Sequence, residues 1–268
     1  MTEATRRGFL GLIPAGATAL LPARQALAAT ENGAASSIDD ACILTPQSEE
    51  GPYYLDPKLA RADIAEGRPG VPLSFRLRVI EAGSCTPISG ARVDIWHSDA
   101  RGLYSAFRDQ GDGHNIDQTG KTFLRGTQLA DTSGWAAFNT IYPGWYAGRA
   151  THIHFKVFLD EKTVLTGQSF FPEALNEFIY TNVPDYTGRP KQRLVINAND
   201  RVATGSDPEH RAWCAVKEER DRYVAMLTLA VDRNAKVAAE MPPGPPTRAP
   251  WIKDRLAALV PGLKRNPF

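Results

Sequence analysis

The sequence predicts a mainly β protein: an antiparallel β-sandwich core with long loops, an N-terminal arm and a Pro-rich C-terminal tail. Short segments in which apolar and polar residues alternate recur between residues 73 and 231, and such alternation is typical of strands that bury one face. The 22 Gly and 20 Pro favour turns over long helices. The 268 residues suit one large β domain with extensions, because sandwiches often reach about 200–250 residues.

Residues 1–28 are predicted to be a twin-arginine-type signal peptide. Arg6 and Arg7 precede an apolar stretch that ends in the small-residue run Ala26-Leu27-Ala28, the layout of an export signal with its cleavage site. The apolar stretch is too short to span a bilayer, so we expect no stable membrane anchor after cleavage. The mature protein is therefore expected to be exported, periplasmic or extracellular, in a bacterium.

The remaining chain divides by pattern into a leader and arm over residues 29–72, a sandwich over 73–232 and a Pro-rich extension over 233–268. A helix is predicted over 207–220, where Asp207-Pro208 is a typical helix start. A short helix or turn is predicted over 251–259 in the extension. The expected strands cover residues 73–79, 91–96, 135–141, 151–159, 163–170, 192–197 and 222–231.

Charge and cysteine content exclude several classes of function. The 31 Lys and Arg against 30 Asp and Glu lack the basic excess of a nucleic-acid-binding protein. Cys42, Cys85 and Cys214 allow at most one internal disulfide and leave one thiol, and the sequence does not decide which pair forms. No C-x-x-C spacing occurs, so a thiolate metal site is not expected.

His152-Ile153-His154 is the segment most informative about chemistry. On a strand the two histidines project from the same face, and two neutral imidazoles placed this way suit a first-row transition metal. Two buried, hydrogen-bonded histidines would show the same pattern. No third histidine lies nearby to complete a three-histidine zinc site, while Tyr104 and Tyr146 flank the pair and could each equally be a core tyrosine.

Several segments together resemble the intradiol ring-cleavage dioxygenases, the family that includes protocatechuate 3,4-dioxygenases and catechol 1,2-dioxygenases. The resemblance covers about residues 40–232. The segments that carry it, in order, are Asp94-Ile95-Trp96-His97, Gly102-Leu103-Tyr104, Phe123-Leu124-Arg125-Gly126, Thr140-Ile141-Tyr142-Pro143-Gly144-Trp145-Tyr146, Arg149 and His152-Ile153-His154. In combination they are far more specific than any one of them.

The resemblance implies a non-haem Fe(3+) held by Tyr104, Tyr146, His152 and His154, with Tyr146 as the ligand that leaves when a catechol chelates the metal. It also implies that Arg149 stabilises charge on the substrate ring and that Gln168 pairs with this arginine. Pro52 and Tyr53 resemble residues that line the substrate mouth. The implied reaction opens a catechol with O2 to a cis,cis-muconate-type diacid.

A second function class remains open at this stage. An exported β-sandwich that binds a metal or another ligand without turnover would also fit the fold, because fold alone does not determine function. The presence of an arginine beside the four ligands favours the enzyme. The identity of the catechol and the oligomeric state, a homo-oligomer included, are not determined by the sequence.

Overall fold

Eight strands form two four-stranded sheets in the computed structural model, which describes residues 42–56 and 58–235. Their orders are β4-β1-β8-β7 and β3-β2-β5-β6. The strands are β1 (Pro72–Glu81), β2 (Arg92–Trp96), β3 (Arg125–Leu129), β4 (Trp135–Ile141), β5 (His152–Leu159), β6 (Lys162–Phe170), β7 (Ala215–Glu218) and β8 (Tyr223–Val231). The predicted fold class is confirmed.

Alternating apolar residues join the two sheets. Phe75 and Leu77 of β1 are fully buried and belong to the same hydrophobic cluster as Ile153 and Phe155 of β5 in the other sheet. Burying an apolar side chain of this size contributes about 1.5–3 kcal/mol. The alternation seen in the sequence is therefore what closes the sandwich.

Strand β5 is buried on both faces, unlike a typical sandwich strand. Ile153 and Phe155 point into the core, while His152 and His154 point to the outer face and are still only 2% exposed. Since successive side chains of a strand alternate, another part of the chain must cover the outer face.

The N-terminal arm provides that cover. The Ser48 backbone N–H donates to the Thr166 carbonyl of β6 at 3.0 Å. Farther along, Ala60 pairs with Thr127 of β3 and Asp63 with Asn139 of β4. Between these points the arm crosses the outer face, and a Cβ atom added at Gly51 would lie 3.3 Å from Cε1 of His154.

A disulfide joins Cys42, in the arm, to Cys85, in the loop after β1, and Cys214 is a buried free thiol. The expected number of disulfides is confirmed, and the structure decides the pairing. Residues 42 and 85 are distant in sequence, so only the folded arrangement of arm and loop could bring them together.

Reducing this disulfide is expected to lower the free energy of unfolding by about 2–4 kcal/mol, because the unfolded chain regains the entropy that the cross-link removes. The cross-link spans a sequence separation of 43 residues. Chemical denaturation with and without a reductant measures the effect, and a variant with both Cys42 and Cys85 replaced by Ala is the control. Equal stability of the wild type in both conditions would contradict the prediction.

The strand predicted over residues 192–197 is wrong. The segment is irregular and ends in a 3-10 turn at Asn197–Asn199. Side chains bind its backbone: the Ile196 N–H donates to Asn199 Oδ1 and the Asn197 N–H to Glu173 Oε2, both at 2.8 Å. These donors are thus bound by side chains and not by a neighbouring strand.

The helix predicted over residues 207–220 is also wrong. The Asp207 carboxylate accepts the N–H groups of Arg211 and Ala212 at 2.7 and 2.8 Å, which closes a turn. The chain then pairs with Phe170 through Trp213 and continues as β7, antiparallel to β8. Tertiary strand pairing overrides the local helix start here.

Three further features were not predicted. They are helices α1 (Glu173–Asn182) and α2 (Arg201–Ser206) and strand β3. In addition, β1 and β8 run parallel, so that sheet is mixed and not purely antiparallel. No hairpin turn connects these two strands, and a long crossover allows parallel pairing.

Several sequence predictions lie outside the described residues: the signal peptide at 1–28, the leader before residue 42, and the extension beyond residue 235 with its short helix at 251–259. Within the described ranges, neither helix has the length and apolarity that crossing a membrane would require.

Candidate active site

The two histidines of β5 converge on the outer face of the sandwich. Their Nε2 atoms lie 3.0 Å apart. Nδ1 of His152 lies 2.7 Å from the Ala150 carbonyl oxygen, which accepts a hydrogen bond from Nδ1–H and so leaves the lone pair on Nε2. The Trp96 ring stacks on the His154 ring with centroids 4.8 Å apart. The pair is therefore oriented from both sides.

Both imidazoles are neutral in the folded protein. Burial, with the nearby Arg149 charge, lowers the pKa of His152 to about 3. Burial, followed by His152 and Arg149, holds the pKa of His154 well below its usual value. Neutral imidazoles with free lone pairs are the form that binds a transition metal.

Two tyrosine hydroxyls approach the same point. The Tyr146 hydroxyl lies 3.1 Å from His152 Nε2. The Tyr104 side chain is 1% exposed and its ring lies edge-on to Tyr146 with centroids 5.6 Å apart. Within the described part of the chain its hydroxyl has no hydrogen-bond partner. A buried polar atom without a partner is costly, and a bound ligand is one way to satisfy it.

The donor set fits a hard trivalent metal. Burial raises the pKa of Tyr104 and Tyr146, so both phenols stay protonated unless a cation binds their oxygens. Within residues 42–56 and 58–235, no group of three or more His, Cys, Asp or Glu side chains could hold a metal. Two imidazole nitrogens and two phenol oxygens line this point, and hard, anionic phenolate oxygens would suit a hard cation such as Fe(3+).

The other histidines are not part of this cluster. Nδ1 of His97 lies 2.9 Å from the Ser98 carbonyl oxygen and Nε2 lies 2.8 Å from Thr140 Oγ1. His210 stacks on Trp213. His114 lines the cleft described below, with Nδ1 bonded to the Asp109 carbonyl oxygen. Both ring nitrogens of His97 are thus hydrogen-bonded outside the converging pair.

The turn before β5 positions Tyr146. Gly144 packs so closely against the neighbouring backbone that an added Cβ atom would lie 2.1 Å from the Asp99 carbonyl oxygen and 2.7 Å from that of Ala100. Only glycine allows the two backbones to approach this way.

Gly144→Ala is expected to destabilise the protein by about 1–3 kcal/mol, because the backbone must shift to admit the methyl group. Gly205→Ala on α2 is the matched control, since nothing lies within 4 Å of an added Cβ there. Denaturant unfolding of the two variants tests this, and equal stability of Gly144→Ala and wild type would contradict it.

Arg149 lies beside the cluster in a network of polar contacts. Its guanidinium donates to Gln168 Oε1 and, at 3.0 Å, to Asp200 Oδ2. Gln168 is the neighbour of His154 across the β5–β6 pair, and its amide donates to the Glu49 carbonyl at 2.9 Å. Burial opposes the charge of Arg149, but Tyr146 and Asp200 outweigh it and raise its pKa. The pairing of Arg149 with Gln168 expected from the sequence is thus present as a contact.

The arm covers the cluster with Pro52 and Tyr53. Tyr53 stacks on Tyr104 with ring centroids 4.5 Å apart. Its carbonyl accepts a hydrogen bond from buried Arg125 at 2.6 Å, and this guanidinium also donates to the Ser105 carbonyl at 2.9 Å. Arg125 therefore ties the arm to the segment that carries Tyr104.

Sequence reasoning assigned no role to Asp200, Glu49 or Arg201. Glu49 accepts from Arg201 at 2.7 Å and lies 3.8 Å from Arg149. Arg125 was part of a recognised motif but was given no function. Their separation from Arg149 along the chain leaves no local signal that could have revealed these contacts.

A cleft of about 330 Å³ opens onto the cluster. It has the size of a small-molecule site. Arg149, His154, Tyr104 and Tyr146 lie at its wall, and the remaining lining residues are Glu49, Gly51, Pro52, Tyr53, Gly102, Asp109, Gln110, Gly111, Asp112, His114, Ala147, Gly148, Arg189, Lys191 and Arg201. All the predicted site residues except His152 and Gln168 reach this cleft, and these two contact residues that do.

A family model described as a dioxygenase matches residues 48–217, which is more than half of the chain. An intradiol ring-cleavage dioxygenase from Tetranychus urticae matches with 30% identity and a TM-score of 0.66, over 73% of this chain and 98% of that one. The chain belongs to the intradiol ring-cleavage dioxygenase family. The resemblance seen in the sequence is confirmed.

Bacterial dioxygenases also match the chain. The dioxygenase domain of a carbohydrate-binding fusion protein from Streptomyces sp. SirexAA-E is 28% identical, with a TM-score of 0.51, over 70% of this chain and 98% of that one. Chlorocatechol 1,2-dioxygenase of Pseudomonas sp. (strain P51) is 30% identical over 46% of this chain and 53% of its own length. Catechol 1,2-dioxygenase of Acinetobacter baylyi is 26% identical over 62% of this chain and 55% of its own length. The chain spans about half the length of these curated relatives.

Proposed function

We propose that this intradiol-family protein is an Fe(3+) enzyme that opens the ring of a catechol-type aromatic with O2 to give a cis,cis-muconate-type diacid. The observation that carries the proposal is the convergence of His152, His154 and Tyr146 with the partnerless hydroxyl of Tyr104, at the wall of a cleft that also exposes Arg149. A protein that binds a ligand without turnover would not need an arginine beside these four side chains.

The side chains of this cluster would each have a distinct task. His152, His154, Tyr104 and Tyr146 would hold the metal, which when bound makes a chelated catechol reactive toward O2. The Tyr146 oxygen would accept a proton from the entering substrate, because a phenol in this buried setting favours its neutral form. Arg149 would stabilise negative charge that develops on the ring.

The cleft supports a small aromatic diol as the substrate. Its volume of about 330 Å³ lies in the range of small-molecule sites, and Pro52 and Tyr53 give it an apolar, aromatic rim. The curated relatives named above are dioxygenases of catechol and chlorocatechol. Tyr53 and Pro52 would contact the ring face.

The visible absorption spectrum of the purified protein, with iron quantified, tests this proposal. We expect a tyrosinate-to-Fe(3+) charge-transfer band that shifts to longer wavelength when catechol is added without O2, and release of the diacid when O2 is admitted. A protein that shows no band after complete ferric reconstitution would contradict the proposal and favour the binding module.

We further propose that the protein is exported. The twin-arginine pattern at Arg6 and Arg7 supports export, and so does the Cys42–Cys85 disulfide, since disulfides persist in oxidising compartments. Cell fractionation of the wild type and of a variant with both arginines replaced by Lys tests this. Wild-type protein found in the cytoplasm would contradict it.

A further inference from the structure

Asp200 is a buried carboxylate, 0% exposed, at the start of α2. Its Oδ1 accepts the N–H groups of Val202 and Ala203 at 2.8 and 2.9 Å. This is the usual way in which an aspartate caps a helix. The second oxygen, Oδ2, is therefore fixed in position by the helix and points toward the candidate active site.

The fixed oxygen holds Arg149. The Nε–H of this arginine donates to Asp200 Oδ2 at 3.0 Å. On its other side the guanidinium donates to Gln168 Oε1. Because the hydrogen bond from Nε restrains the plane of the guanidinium group, it also sets the direction in which the remaining N–H groups face the cleft.

The same oxygen also holds the backbone of Ala150, two residues before His152. The Ala150 N–H donates to Asp200 Oδ2 at 2.6 Å. The carbonyl of the same residue, Ala150, accepts a hydrogen bond from Nδ1–H of His152 at 2.7 Å. That hydrogen bond keeps the lone pair of His152 on Nε2, where the histidines and Tyr146 converge.

We infer that Asp200 is a positioning residue that couples α2 to both Arg149 and the backbone that orients His152. The effects on kcat that follow from this inference rest on the proposed function. It predicts that the charge-stabilising effect of Arg149 depends on the Asp200 carboxylate.

Asp200→Asn separates these tasks. Asn has one acceptor oxygen, and asparagine is a good helix cap, so we expect the oxygen to remain with Val202 and Ala203. Its NH2 group would then face the N–H donors of Arg149 and Ala150, where no hydrogen bond can form. The guanidinium then loses its Nε–H bond and keeps only the bond to Gln168 Oε1 and the long one to the capping oxygen, which is 3.5 Å in the wild type. The helix stays capped.

We expect Asp200→Asn to lower kcat by about 10- to 100-fold, since small misplacements of a catalytic group have effects of this size. In an Arg149→Ala background the same substitution should lower kcat by a clearly smaller factor, because the part of its effect that acts through Arg149 is already absent and only the part through Ala150 and His152 remains. Equal losses in both backgrounds would overturn the inference.

Asp207→Asn is the matched control. Asp207 is also buried and also accepts two backbone N–H groups, from Arg211 and Ala212, but the structure records no contact between it and Arg149. We expect this variant to lose thermal stability and to keep the wild-type kcat. A kcat loss equal to that of Asp200→Asn would show that general destabilisation explains both, and would overturn the inference.

A measurement on iron-free protein separates this inference from the proposed function. The NMR signal of the Arg149 Nε–H proton is the one missing from the spectrum of Arg149→Lys. This proton should exchange slowly with water in the wild type and in Asp207→Asn. It should exchange fast in Asp200→Asn. If that variant fails to fold, the same result is expected in Asp200→Ser, whose hydroxyl can still cap α2. Slow exchange in the Asp200 variants would overturn the inference, whereas an inactive wild type with the expected exchange pattern would contradict only the proposed function.

Discussion

Tyr104→Phe is expected to abolish stoichiometric iron binding and to leave the sandwich folded. Within the described residues the Tyr104 hydroxyl makes no hydrogen bond of good geometry, so its removal costs the metal-free protein little. Removing it should leave the free energy of unfolding unchanged or raise it, by at most about 1–3 kcal/mol. His154→Ala is expected to lose iron as well. Iron content per chain and denaturant unfolding of the metal-free proteins measure the two effects.

Tyr142→Phe is the matched control for Tyr104→Phe. Tyr142 is equally buried, but its hydroxyl donates to Asn176 Oδ1 at 2.7 Å. We expect this variant to lose about 1–3 kcal/mol of stability, because Asn176 is left without its partner, and to retain iron. Stoichiometric iron in both Tyr104→Phe and His154→Ala would show that the ligand assignment is wrong.

Arg149→Ala is expected to keep iron and to lower kcat by about 10²- to 10³-fold, the effect typical of removing one charge-stabilising donor. None of the converging donor atoms of the cluster belongs to Arg149, so the metal should remain. Steady-state kinetics with catechol and iron quantification test the two parts of this prediction.

Arg193→Ala is the control for the loss of a buried arginine. Arg193 pairs with Glu173 and, at 2.6 Å, with Glu177, and none of the four candidate metal ligands is among these partners. We expect this variant to be less stable by about 3–5 kcal/mol, because a buried carboxylate loses its partner, with kcat unchanged. Turnover of Arg149→Ala equal to that of the wild type would contradict the role assigned to this residue.

The parts of the site that lie close together in sequence were predictable. His152 and His154 are two residues apart on a strand, and strand geometry alone places both on one face. The two histidines alone did not predict which metal binds. The metal was predicted only when Tyr104 and Tyr146 were added through the resemblance to a family.

The rest of the site depends on contacts between distant segments. Asp200 reaches Arg149 across 51 positions, and Glu49 lies even farther from it along the chain. Neither residue has a neighbour in sequence that indicates such a contact. The wrong strand at 192–197 and the wrong helix at 207–220 have a related cause, since side chains from elsewhere bind the backbone of the first and strand pairing captures part of the second.

The sequence by itself determined the sandwich, the positions of most of its strands and the face on which the histidines lie, because alternation and turn residues act over a few positions. Only the tertiary structure decided the Cys42–Cys85 pairing, the parallel pairing of β1 with β8, and the burial of the outer face of β5 beneath the arm. It alone also joined Asp200 to Arg149 and Ala150. The physical reason is that these contacts form between segments that meet only after the core has closed, so their energies depend on the whole fold and not on any local pattern.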